Sequence, residues 1–331
     1  MTGGTGLERK KIVIDTDTGS DDAVAIVMAL REPSLEVVAV TTVAGNVDLN
    51  KATRNALTSC DYAETYLPPV YRGAAKPMLN DLIVAEGVHG NDGMGDTGTL
   101  VWSTREPEKE SAAEALIKYC SEGAEIVALG PLTNLALAII KDPEEMRKCP
   151  HITLMGGQVY EGNVGQTAEF NIWQDAYAAD IVFGFDIPIT ALPIEACLGD
   201  AAIFDDDWEK WRGTGTRCGR FCADINGVLR DVVSKGSDVK FFTMPDPTAV
   251  AVLSRPDIIK KSFSSYTRVE TEGTYTRGMF VNDRRTPDSY EALSKETVLR
   301  PHNTLIVEEL YPDRFKEYIL SRLGKEAMID G

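Results

Sequence analysis

The chain has 331 residues, of which 43% are apolar, and a formal net charge of -17 at pH 7. A chain of this length and apolar content can bury one large core. The acidic balance argues against a nucleic acid polymer as the substrate, because phosphate recognition needs a basic surface. A small neutral substrate suits this charge better.

No apolar run reaches transmembrane length, and the first ten residues lack the apolar core of a secretion signal. We therefore expect no membrane partner and a cytoplasmic location. The six cysteines are scattered without a zinc-like Cys-x-x-Cys pair, and Cys218 lies one helical turn from Cys222. This usage indicates reduced structural thiols rather than disulfides.

Apolar strand patterns alternate with helical patterns along the chain. They predict strands at 11–15, 36–42, 125–129, 151–155 and 187–192, and helices at 51–65, 111–122, 132–141 and 174–183. The alternation predicts a single α/β domain with a mainly parallel central sheet flanked by helices, and a site at the carboxyl ends of the strands. The polar, helical pattern of residues 203–240 predicts a mobile cap near that site.

The first predicted strand ends in an acidic turn, which we define as residues 15–22. Its four carboxylates lie within one strand-turn-helix segment: Asp15, Asp17, Asp21 and Asp22. The first two share a face of the strand, and the last two open the helix, whose N-terminus favours negative charge. So many close carboxylates would repel strongly without a cation. Oxygen-rich ligation is typical of calcium or magnesium sites.

Two other interpretations of the acidic turn are open. The acids could serve only as helix caps and turn residues. An apolar strand that ends in Asp-x-Asp-x-Thr also fits a magnesium-dependent phosphatase of the haloacid dehalogenase type, in which Asp15 would be the nucleophile. That fold needs a downstream phosphate-binding Lys and further acids, and the second acidic pair fits it poorly.

Six further segments follow in order: Thr42-Val-Ala-Gly-Asn46, His89-Gly-Asn-Asp-Gly93, Ala128-Leu-Gly-Pro-Leu-Thr-Asn134, Met155-Gly-Gly157, Ala168-Glu-Phe-Asn171 and Pro245-Asp-Pro-Thr-Ala249. Together with the acidic turn, they make the chain resemble the calcium-dependent nucleoside hydrolases of the inosine-uridine preferring type, over about residues 10 to 315. The resemblance implies a Rossmann-like sheet, salvage of free nucleosides by hydrolysis to ribose and base, and a homodimer or homotetramer.

The resemblance also implies one Ca²⁺ per subunit. Its ligands carry over onto Asp17, Asp22, the main-chain carbonyl of Leu129, and Asp246, with two ribose hydroxyls and one water completing the shell. Calcium would lower the pKa of its water, Asp17 would act as the general base, and Asn46 would orient the water. An inverting single displacement follows, because the nucleophile is water rather than a side chain.

Ribose recognition is expected from a set of polar side chains and one Met, namely Asp21, Met155, Asn163, Glu169, Asn171 and Asp246. We expect Glu169 and Asn171 to alternate along one extended run, with Phe170 pointing the other way into the core. Trp173 is a candidate wall of the pocket, although a lone Trp after an apolar run is more often a core residue.

Activation of the leaving base is the least determined step. Relatives that prefer inosine and uridine have a His directly before the residue that corresponds to Asp246, whereas this chain has Pro245. His89, in a Gly-rich loop, is the remaining candidate, and an ordinary loop hydrogen bond explains it equally well. The base can be a purine, a pyrimidine or a modified base. A non-catalytic ribose- or nucleoside-binding protein is a further alternative, against which the complete catalytic set argues.

Overall fold

A computed structural model describes residues 9–286 and 299–324. Within these ranges ten strands form one sheet: β1 (Lys10–Thr16), β2 (Leu35–Thr42), β3 (Val70–Arg72), β4 (Glu108–Ser111), β5 (Glu125–Ala128), β6 (Ile152–Met155), β7 (Ile189–Leu192), β10 (Ile259–Val269), β11 (Phe280–Asp283) and β12 (Thr304–Leu310). A separate small hairpin pairs β8 (Ile203–Phe204) with β9 (Phe241–Phe242).

The order across the sheet is β11-β10-β12-β7-β6-β5-β1-β2-β3-β4. The strands from β12 to β4 run parallel, and near one edge β10 pairs antiparallel with both of its neighbours, β12 and β11. The chain moves outward from β1 to β4 and then returns to β5 on the other side of β1. The strand order therefore reverses at β1, where open α/β sheets form a ligand crevice. The predicted single α/β domain with a mainly parallel sheet is confirmed.

Helices cover both faces of the sheet: α1 (Ser20–Leu30), α2 (Leu49–Ala63), α3 (Glu86–His89), α4 (Ala112–Ser121), α5 (Thr133–Lys141), α6 (Pro143–Met146), α7 (Phe170–Gln174), α8 (Ala176–Phe183), α9 (Asp205–Arg212), α10 (Arg217–Ile225), α11 (Gly227–Val233), α12 (Pro245–Ser254) and α13 (Pro312–Gly324). In the described part of the chain, no helix is long and apolar enough to cross a membrane.

The side chains of β1 alternate between two hydrophobic cores. Ile12 and Ile14 face the core that contains α1, α10 and α12, whereas Val13 faces the core that contains α4, α5 and α8. Helix α1 is buried along its whole length, because α2, α12 and α13 pack around it. The acidic turn therefore joins two buried, rigid elements, and its carboxylates are held in place.

The predicted helical pattern of residues 203–240 corresponds to α9, α10 and α11. Helices α9 and α10 belong to the core, since Trp211, Phe221 and Ile225 are buried. Helix α11 packs against α3, and its Val232 and Val233 are exposed. Helix α11 is therefore the part of this segment that packs on α3, and a mobile cap near the site stays a prediction.

Candidate active site

The acidic turn is closed by hydrogen bonds to Asp22, the third residue of α1. Its carboxylate accepts from Thr16 Oγ1 at 2.5 Å, from the Gly19 N–H at 2.8 Å and from Asn46 Nδ2 at 3.1 Å. The first two bonds join the end of β1 to the first turn of the helix, and the third joins the turn to the segment after β2. The charge of Asp22 is thus held at the helix N-terminus, where it is favoured.

Asp17 lies at the centre of the site, and backbone encloses it on two sides. Its Oδ2 accepts from the Asn46 N–H at 2.6 Å, whereas its Oδ1 is buried without a hydrogen-bond partner. A Cβ at Gly45 would overlap Asp17 Oδ2, and a Cβ at Gly130 would lie 2.8 Å from Oδ1. Only glycine allows the two loops to approach the carboxylate this closely.

Asp246 enters from the first turn of α12 and completes an acidic cluster. Oxygens of Asp21, Asp22 and Asp246 all lie within 4.8 Å of one another, and all three residues are buried. Buried charges require a partner, so this group can hold a metal ion. Asp17, which was also predicted as a ligand, interacts electrostatically with Asp22 and Asp246.

The pKa values of Asp17, Asp22 and Asp246 are raised above the ordinary value of an aspartate. Burial raises the pKa of Asp22 to about 7, and the charge of Asp21 adds to this effect. Burial, followed by the charge of Asp22, raises the pKa values of Asp17 and Asp246 well above their usual range. A cation would reverse these shifts, because opposite charge favours the ionised carboxylate.

Asp15 lies beneath this cluster and has a different environment. It is 0% exposed, and its Oδ1 accepts from Thr41 Oγ1 at 2.5 Å and from Asn134 Nδ2 at 2.8 Å. Burial raises its pKa to about 6, against the opposing effect of these two hydrogen bonds. Asn134 also donates to the Thr42 carbonyl at 3.0 Å. Asp15 therefore joins the ends of β1 and β2 to the first turn of α5.

Asn171 connects the ends of β5 and β6 on the other side of the crevice. Its Nδ2 donates to the Leu129 carbonyl at 2.8 Å and lies 3.4 Å from both the main-chain oxygen and Sδ of Met155. The Leu129 carbonyl was predicted as a metal ligand, and its second lone pair is still available when Asn171 donates to the first. The predicted residues Leu129, Met155 and Asn171 thus meet at one place.

The expected extended run through Glu169 and Asn171 is wrong, because α7 begins at Phe170. Glu169 is the N-cap of this helix and is 2% exposed. Its carboxylate accepts from the N–H groups of Asn171 at 2.9 Å, Ile172 at 3.3 Å and Gly157 at 3.0 Å. Burial raises the pKa of Glu169 to about 7. Phe170 is only half-buried, so it does not fill the core as expected.

Two predicted substrate residues lie farther out. Asn163 is exposed, and its Oδ1 accepts from the Phe170 N–H at 2.9 Å. Trp173 is half-buried on α7 with the guanidinium of Arg277 4.3 Å from its ring centroid. It lines two surface cavities of about 450 and 220 Å³, to which the acidic cluster contributes no residue. Neither a core position nor a contact with the acids is seen for Trp173.

His89 ends the short helix α3 instead of lying in an irregular loop. Its Nδ1 lies 3.1 Å from Ser20 Oγ, 3.4 Å from the Ser20 N–H and 3.7 Å from Asp21 Oδ1. Burial lowers the pKa of His89, and the charge of Asp21 partly opposes this. The His89 imidazole thus lies at the N-terminus of α1, directly beside the acidic cluster, and its lowered pKa favours the neutral form.

Sequence reasoning did not single out several supporting residues: Thr16, Ser20, Gly45, Gly130, Asn134 and Glu195. The signal was present for the glycines, since each directly precedes or follows a predicted site residue in a motif. No local signal identifies the contacts that Asn134 and Glu195 make, because their partners are distant in sequence. Such long-range pairs become visible only when the strand order is known.

The sequence matches the inosine-uridine preferring nucleoside hydrolase family over residues 12–317. The pyrimidine-specific ribonucleoside hydrolase RihA of Escherichia coli (strain K12) is 35% identical over 319 residues, covering 93% of this chain and 98% of that protein. The RihA of Enterobacter sp. (strain 638) is 36% identical over 302 residues, covering 90% and 92%.

Solved structures are similar over the same extent. An inosine-guanosine nucleoside hydrolase superposes with a TM-score of 0.86 at 29% identity, covering 96% of this chain and 100% of that chain. A purine-preferring ribonucleoside hydrolase from Gardnerella vaginalis gives a TM-score of 0.82 at 29% identity, covering 95% and 98%. With the family match over almost the whole sequence, the resemblance is confirmed. The chain belongs to the nucleoside hydrolases and is a ribonucleoside hydrolase that acts on N-glycosyl bonds.

Proposed function

We propose that this hydrolase cleaves its ribonucleoside with one calcium ion per subunit, a water nucleophile and Asp17 as the general base. The observation that carries the proposal is the convergence of buried acids, three of which place oxygens within 4.8 Å of one another. Beside them, Asp17 Oδ1 is buried without a hydrogen-bond partner. A cluster of this kind is stable in its ionised form only with a cation.

The donor set fits calcium. Asp17, Asp22 and Asp246 would supply carboxylate oxygens, and Leu129 would supply its main-chain carbonyl. Calcium accepts carboxylate, carbonyl, hydroxyl and water oxygens in a flexible shell, whereas magnesium demands a stricter octahedron and retains more of its waters. When bound, the ion supplies positive charge that keeps the carboxylates ionised and makes a nearby water more acidic.

Asp17 has the environment that a general base needs. The Asn46 N–H holds Oδ2 at 2.6 Å, and the close backbone at Gly45 and Gly130 prevents the carboxylate from turning away. We infer that Oδ1 takes the proton of the attacking water. Because the water attacks the anomeric carbon directly, no covalent sugar intermediate forms and the configuration inverts.

Asn46 is proposed to orient the water. Its main-chain N–H is committed to Asp17 and its side-chain Nδ2 to Asp22. These two contacts fix the amide plane, which leaves Oδ1 as an acceptor for a water proton. The water is thereby directed toward the sugar, because one of its O–H groups donates to Asn46 Oδ1 and the other donates to Asp17 Oδ1.

The ribose is proposed to lie between the acidic cluster and α7. Asp21 and Asp246 accept hydrogen bonds from its ring hydroxyls, since ionised carboxylates are acceptors only. The 5′-hydroxyl group lies toward Glu169 and Asn163. The Oδ1 of Asn163 already accepts from Phe170, so its amide protons are the groups that it offers the sugar. Asn171 and Met155 form the floor between these two ends.

The leaving base is proposed to contact His89. When the imidazole is neutral, the Ser20 N–H at 3.4 Å makes Nδ1 the acceptor, so that Nε2 carries the proton. A neutral Nε2–H can donate to a ring nitrogen or oxygen of the base as negative charge develops there. This contact substitutes for the His that some relatives have at the position of Pro245.

The alternatives have less support. A phosphatase would need Asp15 as its nucleophile, but the Oδ1 of this residue accepts hydrogen bonds from Thr41 and Asn134. A non-catalytic binding protein would not need a buried Asp17 with an unpartnered Oδ1 beside three further acids. Both alternatives also conflict with membership of the nucleoside hydrolase family, whose match covers almost the whole chain.

The test is ribose release, measured as reducing sugar, from inosine, adenosine, guanosine, uridine, cytidine and one modified nucleoside. We expect release that a calcium chelator abolishes and that calcium restores better than magnesium does. Asp17→Asn should remove the activity, whereas Asp206→Asn on the exposed face of α9 should retain it. Chelator-resistant release, or full activity in Asp17→Asn, would contradict the mechanism, and the panel identifies the base.

A further inference from the structure

The segment between β6 and α7, residues 156–169, changes character along its length. Its first part, up to Gln158, is buried, whereas most of residues 160–167 are exposed. Asn163 lies in the exposed part and is the residue proposed to meet the sugar. An exposed loop of this length needs anchors if it is to present one amide group reproducibly, because ordering it costs conformational entropy.

One anchor is the side chain of Glu195, which binds the loop at residues 159–161, between its buried and its exposed part. The carboxylate of Glu195 accepts from three consecutive backbone N–H groups: Oε1 lies 3.0 Å from that of Val159, 2.7 Å from that of Tyr160 and 3.2 Å from that of Glu161, and Oε2 lies 3.1 Å from that of Val159. Successive N–H groups that converge on one point form a concave binding place for an anion. Here the anion is a side chain of the protein.

The anchor itself is rigid. Glu195 belongs to a 3₁₀ turn, Ile194–Cys197, that directly follows β7. The Ile194 N–H donates to the Gly157 carbonyl at 3.1 Å, and Ala196 and Cys197 are buried. The neighbours of Glu195 are thus fixed in the core, while its carboxylate reaches across to the next loop. Both loops leave carboxyl ends of adjacent parallel strands, where the sugar is proposed to bind.

We propose that Glu195 is a positioning residue for the sugar end of the site: its carboxylate fixes residues 159–161 so that Asn163 presents its amide group to the ribose 5′-hydroxyl. This proposal rests on the proposed mode of ribose binding. Glu195 does not touch the substrate, and its effect passes through the backbone of the loop. Glu169 performs the same task on the other flank, where it binds the Gly157 N–H and caps α7.

A carboxylate is suited to this task in a way that an amide is not. Oε1 of Glu195 meets all three N–H groups and Oε2 meets only that of Val159. Gln could keep an oxygen at the Oε1 position, but it would turn an NH₂ group toward the Val159 N–H and remove the negative charge that strengthens these contacts. Glu195→Gln therefore preserves the volume of the side chain while it loosens the loop. Because hydrogen bonds to charged acceptors are the stronger ones, the change is expected to move Asn163 rather than to unfold the core around β7.

The experiment compares uridine with 5′-deoxyuridine, and inosine with 5′-deoxyinosine, in calcium-loaded enzyme. In the wild type the 5′-hydroxyl should raise kcat/KM, and Glu195→Gln should reduce this preference by about tenfold, mainly through KM. Glu161→Gln is the matched control, since only its main-chain N–H meets Glu195, and it should keep the preference. Asn163→Ala should lose the preference, and adding Glu195→Gln to it should lower the preference no further.

The outcomes separate the two proposals. Equal losses on the hydroxy and deoxy substrates, or an additive loss in the double variant, would overturn the positioning role and leave the hydrolytic mechanism intact. A wild type that cleaves these nucleosides without any preference for the 5′-hydroxyl would overturn the proposed sugar orientation, and the positioning role with it. If Glu195→Gln does not fold, Glu195→Asp, which keeps the charge but shortens the reach, must show the same selective loss to a smaller degree.

Discussion

The two sides of the crevice are built in opposite ways. The acidic turn is buried, short, and connected to the ends of β1 and β2 by bonds to Asp17 and Asp22. The segment between β6 and α7 is long and largely exposed, and two carboxylates, Glu169 and Glu195, hold it through backbone N–H groups. Acids are thus the proposed metal ligands on one side and structural anchors on the other.

The two sides differ in how the negative charge of each carboxylate is compensated. In the acidic cluster, hydrogen bonds compensate only part of the cost of burial and repulsion, and the proposed cation would supply the remaining charge. On the sugar side, backbone N–H groups donate to the carboxylates of Glu169 and Glu195, and burial still raises the pKa of Glu169 to about 7. Substitutions on the first side should therefore affect metal binding and chemistry, and substitutions on the second should affect substrate affinity.

The largest expected effect is that of Asp17→Asn. The change preserves volume but removes both a ligand and the proposed base, so kcat should fall by at least about 1,000-fold. The metal-free variant should be no less stable than the metal-free wild type, because one of several repelling buried acids is gone. Ribose release and thermal unfolding in chelator check both parts. Retained activity with normal calcium affinity would refute the assignment of Asp17.

A smaller effect is expected from Gly45→Ala, which leaves every charged group in place. The added Cβ would overlap Asp17 Oδ2 and lie 2.8 Å from Pro131 Cδ, so the carboxylate has to shift. A displacement of about 1 Å costs about 100-fold in rate, and calcium affinity should fall as well. Gly87→Ala is the control, since its Cβ meets nothing within 4 Å. Near-normal kinetics in Gly45→Ala would mean that the position of Asp17 is not critical.

Much of the architecture and of the acidic side could be predicted from sequence. Each predicted strand and helix has a counterpart, because apolar periodicity is a local property. Asp17, Asp21 and Asp22 lie within six residues of one another, so their convergence needs only one strand, one turn and one helix. Asp246 required the family resemblance, since its distance along the chain hides the contact.

The sugar side was less predictable for a physical reason. Alternation along a strand was assumed for Glu169 and Asn171, but the Glu169 carboxylate caps a helix that starts one residue later. The cap signal was present, because an acidic residue before a helix binds its free N–H groups. Glu195 could not be found in this way, since its partners follow another strand. The oligomeric state stays a prediction.

The pH dependence of stability tests the cation requirement of the acidic cluster. Burial raises the pKa values of Asp22 and Glu169 to about 7 from ordinary values of 3.8 and 4.5. At pH values between the ordinary and the raised pKa, the folded protein binds more protons than the unfolded chain. The metal-free protein therefore loses stability as the pH rises through this range. Its Tm should fall by at least about 5 °C between pH 5 and pH 7.

Calcium should reverse this trend, because binding displaces the protons and strengthens as they leave. The gain in Tm on adding calcium should therefore grow from pH 5 to pH 7. Asp22→Asn should reduce both the fall in the metal-free Tm between these pH values and the gain in Tm on adding calcium. Thermal unfolding with chelator or with excess calcium measures each quantity. A metal-free Tm that rises across this range would show that repulsion among the buried acids does not limit stability.

The smallest expected effect is that of Glu169→Gln on the sugar side. Gln retains one acceptor oxygen for the N-terminus of α7, so the free energy of unfolding should fall by only about 1 kcal/mol. KM should rise by about tenfold while kcat changes little, since the lost contacts hold the sugar rather than the attacking water. Glu114→Gln, the control, removes the N3 carboxylate from the capping box of α4 and should lower stability without changing KM. A large fall in kcat with unchanged KM would instead place Glu169 in the chemical step, and the division of labour between the two sides of the crevice would not hold.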